Sequence, residues 1–371
     1  MKTTFNLSIL LRKIKNTILE IRQSPTHALA RALNILFRFK GRPQIERLRE
    51  ITRQTPLILQ IETVNACNAA CIFCAYPEMK RKKGIMTVTL FEKIVKEYVE
   101  MGGGPISFTP VVGDALLDPH LIERLIFLEK FTSVNQITLT TNGIALHKYS
   151  DDMVRYLLTR LYCIQVSIGG LDRDTYKTLY GVDSFNAVNK TMKRLIRLRK
   201  CVDNPANLTF AFRTNDGNFT KRFKSELAFF RQEGVFISHI SNYDNYSGVV
   251  TNACDPSLTI NNIPSATPYA CTYPSVHIAI CWDGTITACG CVDFEGDKLP
   301  IGNASSDSLF QVWTGAKRTE LLDSFTNNTL PNICRECTAY IPDTYFAMSF
   351  FKDVRQHNQL PLCFFQSFWG G

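Results

Sequence analysis

The chain opens on a helical pattern of apolar positions. Leu7, Leu10, Leu11, Ile14, Ile18 and Ile21 recur at helical spacing, with Arg12, Lys13, Asn16 and Glu20 on the other side. A second run holds Leu29, Leu33, Leu36 and Phe37. Both predict helices packed on the main domain. The excess of Lys and Arg also allows helices lying on an anionic membrane surface. From residue 57 the pattern changes. Strands are predicted over 57–62, 105–112, 136–140, 163–168, 208–213 and 236–241, and helices over 91–101, 121–131, 152–159, 185–199 and 221–233. Strands that alternate with helices imply βαβ units and a parallel sheet. Six such strands are too few for a closed eight-stranded barrel. The expected fold is therefore α/β, an open (βα)6 partial barrel. Past residue 245 the periodicity fades and Cys, Pro and Gly dominate. There 278–281 and 285–288 predict a hairpin around Trp282-Asp283-Gly284-Thr285. The chain divides into a basic helical extension (1–50), the barrel (51–245) and a small cysteine-rich module (246–371). That module ends in an aromatic tail containing Phe346, Phe350, Phe351, Phe364, Phe365, Phe368 and Trp369, expected to pack against the domain.

Composition narrows the setting. No apolar run approaches the roughly eighteen residues of a membrane span, and Arg12, Lys13 and Lys15 break any signal-peptide core. A cytoplasmic location is expected. Thirteen cysteines in such a chain argue for metal rather than disulfides. The net charge of +9 is mild for this length. It admits an anionic substrate or an acidic partner surface without identifying either, and no nucleic-acid partner is expected. The run Lys80-Arg81-Lys82-Lys83 reads as a solvated charge run in preference to a phosphate-binding patch.

Candidate chemistry begins at Cys67-Asn-Ala-Ala-Cys71-Ile-Phe-Cys74, directly after the first predicted strand. Three thiolates this close suit a cubane iron–sulfur cluster. Three ligands for four irons leave one iron open, which signals chemistry rather than structure. A zinc knuckle would want a fourth Cys or His, and none lies between Gln60 and Met79. The Cys-x3-Cys-x2-Cys spacing, with an aromatic before the last Cys, resembles the signature of the radical S-adenosylmethionine (radical SAM) superfamily. The resemblance implies that a [4Fe–4S] cluster binds SAM at its open iron. Reductive cleavage of SAM then gives a 5′-deoxyadenosyl radical that abstracts hydrogen from substrate. It also implies a SAM site at the strand ends. Gly113-Asp114 stands for the family's Gly-Gly-Glu-Pro stretch, with Asp for Glu and Ala115 for Pro. Asn142 lies in the turn Thr141-Asn142-Gly143, Ser167 would reach the ribose, and Arg213 would pair with the SAM carboxylate.

A second cysteine set follows. Cys334-Arg-Glu-Cys337 is a metal-knuckle pair, and distant cysteines can complete four ligands. Gly284-Thr-Ile-Thr-Ala-Cys289, Ile301-Gly302-Asn303 and the run from Leu309 to Trp313 resemble the SPASM/twitch extension of radical SAM proteins. The resemblance, which covers roughly 57–340, implies the shorter twitch form. One auxiliary [4Fe–4S] cluster would sit on Cys271, Cys289, Cys334 and Cys337, with Cys281 and Cys291 as spares able to replace an assigned ligand. A structural zinc site is the alternative. Cys163, Cys201 and Cys254 read as core or surface thiols.

Twitch and SPASM relatives include a dehydrogenase of 2-deoxy-scyllo-inosamine, carbohydrate epimerases, sulfatase maturases and peptide-modifying enzymes. The expected activity is therefore oxidation or epimerisation at a hydroxyl-bearing carbon of a carbohydrate-like small molecule, a sugar or aminocyclitol. Radical modification of a ribosomal peptide or protein, or a non-catalytic electron carrier, are the other readings. A reducing flavodoxin or ferredoxin is implied as partner. Asp244 and His239, at or just after the sixth strand, are the expected catalytic bases.

Overall fold

The computed structural model describes residues 42–251, 259–261, 270–343 and 347. The helices expected before residue 42, the aromatic tail, Cys254 and Cys363 lie outside the described residues. All six expected strands form: β1 (Ile58–Ile61), β2 (Ile106–Phe108), β3 (Ile137–Thr141), β4 (Cys163–Ile168), β5 (Asn207–Arg213) and β6 (Phe236–Ile240). They pair in parallel in chain order. A short separate sheet joins β7 (Asn242–Tyr243) to β8 (Thr259–Ile260).

The expected hairpin is β9 (His277–Ile280) with β10 (Thr285–Thr287), and β11 (Pro300–Asn303) pairs antiparallel to β10. Its position is a finding the sequence pattern did not reveal. β9 runs parallel to β1, with Ile58 opposite His277 and Ile61 opposite Ile280. One nine-stranded sheet therefore runs β11-β10-β9-β1-β2-β3-β4-β5-β6.

The helices are α1 (Arg42–Ile51), α2 (Val88–Glu100), α3 (Leu121–Leu128), α4 (Asp151–Arg160), α5 (Arg173–Tyr180), α6 (Phe185–Arg199), α7 (Phe219–Arg222), α8 (Lys224–Gln232), α9 (Thr272–Val276), α10 (Leu309–Thr314), α11 (Ala316–Asn327) and α12 (Asn332–Arg335). Their local causes are legible. Thr87 caps α2 by accepting from the Leu90 amide at 3.2 Å, and α2 buries Phe91, Ile94, Val95 and Tyr98 on one face. Each such side chain contributes about 1.5–3 kcal/mol. Ser150 caps α4, with Asp151 and Asp152 in its first turn and Arg160 in its last. The helix expected over 221–233 is broken at Phe223, whose backbone leaves helical angles. The sequence reading missed α5.

Alternate strand residues separate two environments. Leu59, Ile61, Phe108, Leu139, Ile164, Val166, Phe210 and Phe212 join the core packed under the helices. Their neighbours on the other face are polar: Gln60, Ser107, Thr138, Gln165, Ser167, Thr209 and Arg213. A second core gathers Leu48 of α1, Ile58, Val276, Cys271, Cys289, Phe325 and Tyr340. Arg49 of α1 also pairs with Asp343 at 3.0 Å, so α1 packs largely on the C-terminal module.

Candidate active site

The first cysteine loop leaves the C-terminal end of β1. Cys67, Cys71 and Cys74 are all free thiols, near enough that each sulfur raises the proton affinity of Cys71, after burial as the main cause. Burial likewise pushes Cys67 up to about 12, with the Asp114 carboxylate adding to it. Bound iron reverses that preference by holding thiolates. Two backbone bonds clamp the loop to the end of α5: Ala70 donates to the Tyr180 carbonyl (3.0 Å) and Ile72 to Leu179 (3.1 Å). Gly181, which ends α5 at φ +67°, lies so close that a Cβ would stand 2.5 Å from the Ala70 oxygen. The helix missed in sequence thus positions the loop. Its signal was present in Asp172, which accepts from the Thr175 amide at 2.8 Å, and in Gly181 at the far end.

Around this loop converge the expected SAM-site residues. Gly113 has φ +125°, and a Cβ there would meet the Val64 and Ala66 carbonyls at 2.9 and 3.0 Å. That close approach lets the Asp114 amide bond Ala66 at 2.9 Å. The buried Asp114 carboxylate accepts from the Thr141 hydroxyl (2.9 Å), the Asn142 amide (2.7 Å) and the Leu116 amide (3.0 Å). Desolvation raises its pKa to about 6. It holds the 141–143 turn with those bonds instead of presenting a free charge. Asn142 in turn donates to Asn68 at 2.8 Å and to the Cys67 sulfur at 3.6 Å. Ser167 bonds the Tyr180 hydroxyl at 2.8 Å and accepts from Arg213 Nε at 2.8 Å. The Arg213 guanidinium lies 5.4 Å from the Phe73 ring centre, and Phe73 stacks on Tyr243 at 4.8 Å. The buried hydroxyls of Tyr176 and Tyr243 have no hydrogen-bond partner among the described residues. Tyr176 lies within electrostatic reach of Cys67 and Cys71, and Tyr243 of Cys71 and Arg213. Three sulfurs, a guanidinium and two orphaned hydroxyls fit a sulfur-ligated cluster and a polar ligand beside it.

The two expected bases lie elsewhere. His239 pairs in register with Phe212, stacks on Phe219 of α7 at 5.1 Å and faces the Thr214 carbonyl at 3.1 Å. It is on the helix-covered face of the sheet, opposite Arg213. Asp244 is engaged by the Thr338 hydroxyl (2.6 Å) and the Tyr246 amide (2.6 Å), and it lies within reach of Cys291 and Cys337. It borders the second sulfur set. The basic run is also partly engaged. Arg81 forms two bonds to buried Glu62, at 2.5 and 2.6 Å, and the Lys80 and Arg81 amides bond Glu295 at 2.7 and 2.9 Å.

The second set surrounds one apolar cavity, walled by Cys271, Cys289, Cys291, Cys334 and Cys337 together with Leu321, Phe325 and Tyr340. All four expected ligands are there. Of the two spares, Cys291 joins them and hydrogen-bonds Tyr273. Cys281 packs instead with Ala75, Val111, Val112 and Phe294. An all-sulfur donor set in an apolar pocket with no polar site left over fits a closed cluster. Gln60 ties this region to the barrel, donating to the Gly290 carbonyl at 2.9 Å and to Thr109 at 3.1 Å.

Fold and sites together fit an iron–sulfur protein, with a three-cysteine loop and a separate five-cysteine cavity on a parallel α/β half-barrel. Residues 61–210 match the Radical SAM superfamily, and residues 271–338 match the SPASM iron-sulfur cluster-binding domain. The chain carries the Radical SAM domain followed by the SPASM iron–sulfur cluster-binding domain, and the cofactors of these domains are [4Fe–4S] clusters and SAM. Among curated relatives, the GTP 3',8-cyclase of Petrotoga mobilis is 28% identical over 143 residues, 38% of this chain and 43% of that protein. The cyclase of Chlorobaculum tepidum is 26% identical over 138 residues, 37% and 40% respectively. The match thus spans about two fifths of these relatives. Among solved structures, BtrN in complex with AdoMet and 2-DOIA has TM-score 0.52 and 15% identity, covering 76% of this chain and 92% of that one. Streptococcus suis SuiB bound to precursor peptide SuiA has TM-score 0.56 and 16% identity, covering 81% and 75%. These likenesses show the fold. Among the described residues no helix is long and apolar enough to cross a membrane.

Proposed function

We propose that this enzyme oxidises or epimerises a hydroxyl-bearing carbon of a polar small molecule, a sugar or aminocyclitol. The observation that carries the reading is the polar face of the half-barrel. Gln60, Ser107 and Thr138 lie in one register row across β1, β2 and β3, all buried. The Gln60 side-chain oxygen and the Ser107 and Thr138 hydroxyls have no partner among the described residues. With Thr140, Gln165 and Ser167 they make a lining suited to hydroxyl groups rather than apolar side chains. When bound, the groups held by the two sulfur sets supply a hydrogen-abstracting radical at the first and one-electron acceptance at the second.

The chain's own residues then have distinct tasks in this reading. Cys67, Cys71 and Cys74 hold the first cluster, and Cys271, Cys289, Cys334 and Cys337 the second. Arg213, fixed by Ser167 and Phe73, orients a carboxylate. Asp114 sets the turn that aims Asn142. Tyr243, whose unpartnered hydroxyl lies within electrostatic reach of Arg213, replaces His239 as the candidate to hold or move a substrate proton. BtrN, whose complex contains 2-DOIA, shares the fold and agrees with this reading, as SuiB agrees with a peptide substrate.

The test is 5′-deoxyadenosine release by the anaerobically reconstituted full chain, supplied in turn with sugars, aminocyclitols, nucleotide sugars and peptides. A carbohydrate-class compound should accelerate release, with the product either two hydrogens lighter or carrying solvent deuterium at carbon. If every carbohydrate leaves SAM cleavage at its uncoupled rate while a peptide accelerates it, the reading is wrong.

A further inference from the structure

The basic run Lys80-Arg81-Lys82-Lys83 has no part in the chemistry above, yet the C-terminal module grips it closely. The Glu295 carboxylate accepts from the Lys80 amide at 2.7 Å and from the Arg81 amide at 2.9 Å. The Phe294 carbonyl accepts from Arg81 Nε at 2.7 Å. Trp282 Nε1 donates to the Lys82 carbonyl at 3.1 Å, and a Cβ on Gly84 would stand 2.4 Å from the Trp282 ring.

Arg81 carries this contact inward. Its two terminal nitrogens bond the buried Glu62 carboxylate at 2.5 and 2.6 Å. The same carboxylate accepts from the Val112 amide at 3.3 Å, and Val112 leads directly into the expected SAM-site pair Gly113-Asp114. Packing follows the same route. Phe294 shares one buried apolar group with Val111, Val112 and Ala75, the residue after Cys74. The loop that supplies Phe294 and Glu295 starts at Cys289, in the wall of the second sulfur cavity. Gln60 of β1 holds that start through the Gly290 carbonyl at 2.9 Å. Hydrogen bonds therefore run without a gap from the 289–295 loop through Arg81 and Glu62 to Val112. A guanidinium suits the middle of such a route, since Nε serves the carbonyl while the fork serves the carboxylate.

We propose that Arg81 is a positioning residue through which the 289–295 loop of the second sulfur site holds the SAM-binding stretch 112–114. The inference rests on the radical SAM reading above. With the second cluster in place the loop is anchored at Cys289 and the stretch is set for SAM. Without that cluster the loop loses its anchor, and SAM binds more weakly.

The experiment measures SAM affinity by calorimetry on the anaerobically reconstituted full chain, with iron content determined on the same samples. Glu295→Ala should keep both clusters and weaken SAM binding about tenfold, the size of one lost charge-assisted hydrogen bond. Arg81→Lys keeps the charge but loses the fork, and should weaken binding to a similar extent. It decides alone if Glu295→Ala loses iron. Replacing Cys334 and Cys337 with Ala should also weaken binding, and in that background Glu295→Ala should add nothing. Trypsin supplies a readout independent of SAM. Cleavage after Lys80 and Arg81 should be about tenfold faster in Glu295→Ala than in the wild-type chain. Full iron with wild-type SAM affinity in both single variants overturns the inference while the radical SAM reading stands. So does a Glu295→Ala effect of the same size with and without the second cluster, or an unchanged rate of cleavage by trypsin. A wild-type chain that assembles no cluster at Cys67, Cys71 and Cys74 would remove the reading itself, and the inference with it.

Discussion

The first sulfur site takes its three cysteines from eight consecutive residues, whereas the second draws five from segments spread over residues 271–337. The first sits among polar partners: Asn142, Ser167, Arg213 and the unpartnered hydroxyls of Tyr176 and Tyr243. The second is walled by Leu321, Phe325 and Tyr340. The contrast teaches that compactness in sequence and closure in space are independent. A local loop can be left open for chemistry because remote elements brace it. A site gathered from distant segments is closed because those segments already share a core.

The sharpest way to break this comparison is to remove each set separately. The reconstituted chain should hold about eight irons, four per cluster. Replacing Cys67, Cys71 and Cys74 with Ala should leave about four and abolish SAM cleavage, and an unchanged iron count would refute the first assignment. Replacing Cys334 and Cys337 should remove the other four. It should also lower Tm more than the first triple change, because metal held between distant segments contributes directly to folding. Within that set, Cys291→Ala should keep all the iron and Cys289→Ala lose half. The reverse result would exchange the two residues.

A smaller effect separates the brace from the ligands. Gly181→Ala forces a Cβ toward the Ala70 carbonyl at positive φ and should cost about 1–3 kcal/mol. Chemical denaturation measures that loss, and SAM cleavage should fall with the cysteines intact. A neutral result would mean that α5 does not hold the loop.

The smallest expected effect is a pH dependence confined to the open site. Asp114 has its pKa raised by burial to about 6, so between about 4 and about 6 the folded state takes up a proton. The sign follows: stability from this group rises as pH falls through that window. Acceptance from Thr141 and the Asn142 amide is weakened by the same proton. SAM affinity measured by calorimetry should therefore drop between pH 7 and pH 5 while Tm does not fall with it. Asp114→Asn should flatten that profile, and an equal slope in the variant would exclude Asp114 as its origin.

Much of this architecture is legible in the sequence itself. The six barrel strands and the first cysteine loop follow from apolar patterning and spacing, since each signal is local, whereas the ligands of the second set were implied by the resemblance to the SPASM/twitch extension. Other features are not local. The face on which His239 falls depends on the register between β5 and β6, which places it beside Phe212 and away from Arg213. The partner of Arg81 is Glu62, on the far side of the cysteine loop, so four adjacent basic residues read as a solvated run although one is ion-paired in the interior. The retention of Cys291 and rejection of Cys281 at the second cavity likewise needed the hairpin in place. For α5 the local signals existed, in the Asp172 cap and Gly181, but its polar sequence masked the buried Tyr176, Leu179 and Tyr180.

The parallel pairing of β9 with β1 carries a last consequence, for anyone wishing to trim the chain. β1 is an interior strand only because the C-terminal module supplies its neighbour, with Leu59 opposite Ile278 and Ile61 opposite Ile280. Truncation after residue 245 would not liberate a minimal catalytic unit. It would expose a row of unpaired amides and carbonyls beside apolar side chains, an invitation to intermolecular strand addition and aggregation. What the chain keeps as two iron–sulfur modules is, in terms of solubility, one indivisible sheet.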